Sequence, residues 1–247
     1  MTDDIRPLGT VSRALPGTTS DNTQIPFRLG RYGEQYVSPI GNVRHTLSEE
    51  GTYFYAQNAT IDASTTLAGH AAPVLADLYT KPFIFMRNDA GASNTKLVSL
   101  DFIHIQVITA GGSGTSDNWA AECDTGAARS TNGTALTVVN PNMQSSNTSI
   151  CTLKGGAPTA SAATTSQRKM GHGVFRPSIA ITGDKYTFVF GGDATTENNV
   201  VASAITHHII PMPAVKLGPT DQFLLHLYAP SQSAAAVYKV SMGWWER

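Results

Sequence analysis

The sequence predicts an all-β chain, a jelly-roll or β-sandwich body carrying an extended N-terminal arm and long loops. Two observations lead to this. Short runs rich in Val, Ile, Leu, Phe, Tyr and Thr recur along the 247 residues, separated by turn signals built from Gly, Pro and Asp. That recurrence favours a sandwich or jelly roll over an α/β fold. Hydrophobic residues make up 41%, enough for a sizeable core, while charged residues reach only 14%, well under the usual quarter. Such a weakly charged, Thr-rich surface suits packing against another protein, because few ions need to be desolvated.

The elements follow in order. Residues 1–30 read as an extended arm, punctuated by Pro7, Gly9, Pro16, Gly17 and Pro26. Its apolar residues, Ile5, Leu8, Val11 and Leu15, are scattered singly and cannot form a core. They are the candidate partner-binding residues of the arm, since Pro-containing segments lose little entropy on docking. Residues 31–247 are expected to form a single sandwich domain. Short strands are expected at 35–37, 42–44 and 53–56, and a helical turn at Val74–Tyr79, since Pro73 argues against a longer helix. The segments 82–88 and 96–110 read as buried strands. In the second, Ile103, Ile105 and Val107 share one face and Phe102, His104 and Gln106 the other. Residues 111–170 read as a loop-rich excursion in which only 135–139 and 150–153 resemble strands, and contacts between subunits are expected to help order it. Five further strands are expected at 178–181, 186–190, 202–210, 223–228 and 237–244.

Several function classes find little support. Seventeen basic and 18 acidic residues leave a net charge of −1 with no basic run, which argues against nucleic-acid binding. No apolar run approaches the ~20 residues that span a bilayer, so no membrane is expected. MTDDIRPLGT has no apolar core of signal-peptide type, so synthesis in a cytoplasm is expected. Cys123 and Cys151 are expected to be free thiols. His207 and His208 are adjacent, so a strand points them to opposite faces and they do not readily hold one metal. His104 and His226 sit inside apolar strands as core histidines bonded to backbone. The His-x-His metal pair of cupins is missing, as are a nucleophile elbow and a phosphate loop. The paired acids Asp3–Asp4 and Glu49–Glu50 lie on the arm and in a loop. No catalytic, cofactor or metal residue is assigned, and the chain is read as non-enzymatic. Tyr32, Tyr36, Tyr53, Phe54, Tyr55, Trp119, Trp244 and Trp245 are aromatics for a sugar platform or, with more weight, for core and interface packing. Trp244 and Trp245 are the interface candidates, because a strand sends one ring to each side.

The last third has IIPMP at 209–213, LGP at 217–219, FLLHLYA at 223–229 and a closing VYKVSMGWWE at 237–246. With the LPGTT arm and the segment GEQYVSPIGNVRHTLSEEGTYFYAQNAT, it resembles the jelly-roll cement (head decoration) proteins of tailed bacteriophages. That resemblance covers 1–60 and 175–247. It implies a homotrimer on the capsid surface of a virion, with the major capsid protein as partner and no cofactor. A phage tail or baseplate module binding a carbohydrate or receptor is the alternative.

Overall fold

In the computed structural model the chain divides into two units, Met1–Val43 and Arg44–Arg247. The structure describes residues 43–58, 66–70, 81–91, 95–130, 132–156, 158, 163–192 and 205–247. The expected strand at 35–37 and the turn at 74–79 lie outside them.

Among the described residues one helix precedes a run of strands. A seven-residue helix, α1 (Val43–Glu49), stands where a strand was expected at 42–44. Its Leu47 is buried, and the turn that ends it returns the Glu50, Gly51 and Thr52 amides to the carbonyls of Thr46, Ser48 and Leu47. Strands β1 (Tyr53–Gln57), β2 (Leu67–Ala68), β3 (Ile84–Asn88) and β4 (Val98–Thr109) follow. Next come β5 (Asp117–Asp124), β6 (Thr134–Ala135), β7 (Thr137–Val139), β8 (Cys151–Gly155) and β9 (Arg168–Arg176). The last are β10 (Lys185–Phe190), β11 (His207–Met212), β12 (Lys216–Leu217), β13 (Gln222–Tyr228) and β14 (Val237–Glu246).

Two packed sheets make this an all-β sandwich. One runs β11-β10-β4-β14-β1-β7, with β12 on β4 and β2 on β14; the other runs β6-β8-β3-β13-β5-β9. Every pairing is antiparallel except β10 with β11. Leaving aside β2, β6, β7, β8, β11 and β12, and numbering β1, β3, β4, β5, β9, β10, β13 and β14 from first to eighth, the first sheet holds them as sixth, third, eighth, first. The second holds them as second, seventh, fourth, fifth.

The core lies between the sheets. Ile103, Ile105 and Val107 of β4, Val240, Met242 and Trp244 of β14, and Phe223 and Leu225 of β13 are all buried there, so β4 presents the face that its alternation predicts. A bulge opposite Asp117 and Asn118 makes Phe175 an extra residue in β9, and its ring stacks on Tyr186 at 3.8 Å.

The excursion at 111–170 differs from expectation. It contains β5, which lies inside its sheet between β13 and β9 and is buried along almost its whole length. Asp117, Glu122 and Asp124 hid this strand, since buried acids break the apolar signature. No strand forms at 178–181; that segment is a loop whose Ile181 amide donates to Asp184.

Both cysteines are free, as expected. They sit on β5 and β8, separated by β13 and β3. Three strand spacings of about 4.8 Å put roughly 14 Å between them, far beyond disulfide reach.

Candidate interaction surface

Ile5, Leu8, Val11 and Leu15 lie outside the described residues. Trp244 and Trp245 divide as the strand geometry requires. The Trp244 ring is fully buried against Phe54 and donates Nε1–H to Glu246 at 3.0 Å. Trp245 faces outward and is half-buried. Of the other candidate aromatics, Phe54, Trp119 and Tyr53 are buried, and Tyr55 is partly exposed beside Phe102.

Strand register arranges the outer face of the larger sheet into rows. Val139, Tyr55, Gly243, Phe102, Val189 and Pro211 form one row across β7, β1, β14, β4, β10 and β11. Five strand gaps make it about 24 Å long. Gly243 is obligatory there: a Cβ would stand 2.1 Å from the Tyr53 hydroxyl and 2.7 Å from the Phe102 ring. The next row is mostly polar, with Thr137, Gln57, Ser241, His104 and Thr187, and ends on Ile209. A third holds Lys239, Gln106, Lys185 and His207.

α1 is tied to this face by charge. A bulge makes Asp101 an extra residue in β4, where it accepts Arg44 Nε at 2.6 Å, Arg44 Nη2 at 2.9 Å and the Tyr53 hydroxyl at 2.8 Å. Burial and the adjacent Asp101 charge push the Tyr53 phenol up. Arg44 also lies over the Phe102 ring.

The histidines fall into two settings. His207 is exposed and His208 buried, so the adjacent pair splits as expected. His104 Nδ1 lies 2.8 Å from Thr187 Oγ1, which lies 2.9 Å from His207 Nε2. Burial, with help from His207 and Lys185, lowers the His104 pKa. For His104 a side chain thus stands where a backbone partner was expected, and His226 Nε2 stands 3.4 Å from Glu122 Oε1.

Sequence reasoning missed two buried ionic networks. On the outer side of the smaller sheet, Arg129 Nη1 donates to Glu122 at 2.7 Å and to Asp124 at 3.2 Å. Gln167 donates to Glu122, Thr164 to Asp124, and the Arg129 amide to Gln222. These bonds fasten the segments around 129 and 164–167 to the sheet. At one end of the sandwich, Arg176 of β9 pairs with Asp184 at 2.8 and 2.9 Å, and Tyr186 of β10 donates to Asp117 of β5 at 2.7 Å. Both contacts join one sheet to the other. The only sequence signal for either network was acid placed among β formers.

A cleft of about 290 Å³ opens where β5, β9 and β12 meet, with Cys123, Met170, Val215 and Leu217 beneath it and Arg168 and Lys216 beside it. Burial pushes the Cys123 thiol up to about 12, so it is a neutral, weakly nucleophilic group. Among the described residues no three His, Cys, Asp or Glu side chains gather as a metal site. No described helix is long and apolar enough to cross a membrane.

No family model, curated protein or solved structure matches the chain.

Proposed function

We propose that the chain is a structural protein that binds and stabilises the outer surface of a viral capsid, a cement or decoration subunit acting as a homotrimer on the major capsid protein. The observation that carries this reading is the strand order. Among the eight strands numbered above, sixth-third-eighth-first facing second-seventh-fourth-fifth supports two Greek keys wound into a jelly roll, the body that the resemblance implies. The ionic chemistry supports it too. Glu122, Asp124, Arg129, Arg176 and Asp184 are buried and bonded to one another or to loops, so their charges act as internal fasteners. The first two outer rows of the larger sheet offer area with few charges to desolvate. A repeated weak contact gains avidity across a trimer.

The test uses capsids lacking this subunit. The full chain is expected to co-sediment with them, and deletion of residues 1–25 to weaken attachment. Equal attachment without those residues argues against the arm as anchor, and no attachment of the full chain removes the reading.

A tail or baseplate module for carbohydrate or receptor is the second reading, favoured by the outward Tyr55, Phe102 and Trp245. A glycan array without binding removes its carbohydrate form.

A further inference from the structure

One corner of the larger sheet's outer face gathers positive charge and sets no acid against it. Lys239, Gln106, Lys185 and His207 lie opposite one another across β14, β4, β10 and β11, and His104 and Thr187 stand in the row beside them. Three strand gaps make the charged row about 14 Å long. Among the described residues no Asp or Glu lies in either row, and neither Lys185 nor Lys239 makes an ion pair. Asp184, next to Lys185 in the chain, is turned inward to Arg176 at 2.8 and 2.9 Å. Like charges directly opposite on a sheet repel, so Lys185 against a protonated His207 is destabilising until an anion neutralises the pair.

A shared hydroxyl makes this corner respond to protons. Thr187 Oγ1 lies 2.8 Å from His104 Nδ1 and 2.9 Å from His207 Nε2. It carries one hydrogen and can donate to one ring only, so the other ring must donate its own N–H to the oxygen. When both rings are fully protonated, both nitrogens donate, the oxygen accepts twice, and the hydroxyl hydrogen is freed for another acceptor. Acid thus supplies two imidazolium charges and one O–H donor in the same place. Among the described residues, the groups facing His104 are Phe102 and Gln106 on its own strand, Thr187 and Lys185 from β10, Ser241 and Lys239 from β14, and His207 from β11. None is acidic. Burial, then the charges of His207 and Lys185, lower the His104 pKa, so its protonation is favoured by an incoming counter-charge.

We propose that this corner binds a sulfate or phosphate group, free or as an ester, with Lys185 as the fixed cation and His104 and His207 taking up protons as it binds. A carboxylate brings one charge and two oxygens, fewer than these donors can engage, whereas a sulfate or phosphate group offers more oxygens and, as the free ion, more charge. Because the anion favours protonated His104, affinity rises as pH falls. The site stands whether or not a capsid is the partner.

Sodium sulfate is the probe, since it stays a dianion where phosphate would itself titrate. It is added to the full chain at constant ionic strength while the histidine ring protons are followed by NMR. Saturable shifts of the His104 and His207 signals are expected, with a dissociation constant roughly 5-fold or more lower at pH 5.5 than at pH 7.5. Lys185→Ala, at an exposed position, is expected to keep the thermal midpoint and weaken binding roughly 5-fold or more. Methyl sulfate binding more tightly than sulfate assigns an ester group, and the reverse order a free ion. Shifts that chloride or acetate reproduce overturn the proposal. So does an affinity indifferent to Lys185→Ala, or one equal at the two pH values.

Discussion

Asp117 is fully buried, and its hydrogen-bond donor is a phenol. Burial pushes its carboxyl up to about 7, against the Tyr186 bond, with Asp184 adding to the rise and Arg176 opposing it. An unfolded chain returns it to about 3.9. Between those values the folded state holds the extra proton, so this group's contribution to stability is fully present below pH 4. It is lost as pH rises towards 7, on the order of 4 kcal/mol in all. Asp117→Asn keeps an acceptor for Tyr186 and removes the titration. Urea melts at pH 5 and pH 8 are expected to differ less in the variant than in the parent; an unchanged difference would show that Asp117 ionises freely. The neighbouring tryptophans offer a second contrast. Trp244→Ala is expected to cost about 3–5 kcal/mol by cavity formation. Trp245→Ala, on the outer face, is expected to cost well under half of that in the same melts. The sequence pattern set the two rings on opposite sides because a strand alternates, without telling which one enters the core; it was silent on Asp117, whose burial depends on a partner 69 positions away.

At the scale of elements, much of the loop-rich third is held by ions where apolar residues are few. Arg129 is 1% exposed and serves both Glu122 and Asp124. Removing it strands two buried carboxylates, so Arg129→Ala is expected to lower stability by roughly 3–5 kcal/mol in equilibrium unfolding. Hydrogen exchange in 125–130 and 163–167 should rise with it; a silent exchange map would mean that those segments are secured otherwise. This also explains which elements were legible. β4 announced itself through Ile103, Ile105 and Val107, and β13 and β14 through similar runs. β5 did not, because Ala120 and Ala121 are weak β formers and its acids look solvent-facing until Arg129 is found beside them. α1 was mistaken for a strand because Val43 and Arg44 carry no helical period over so short a span.

At the scale of the whole molecule, sheet class could be read from recurring short apolar runs, but strand order could not. Which strand neighbours which is set by contacts distant in sequence, such as Tyr53 with Trp245, and single-chain periodicity does not encode them. The candidate surface was partly legible for the same reason. Strand alternation put one of Trp244 and Trp245 on each side without telling which, whereas the cleft exists only because β12 comes to lie near β5 and β9. One arrangement in this plan has a mechanical corollary. β1 begins beside the finish of β14, with the Glu246 amide bonded to the Thr52 carbonyl. A tug applied to both ends of the body therefore parts the two strands rung by rung, as a zip opens, and never loads all their rungs together. Held in an optical trap by those ends, the body should yield gently; gripped instead at Val98 and Val237, at opposite ends of the paired β4 and β14, it should resist far longer, since their rungs are then loaded together.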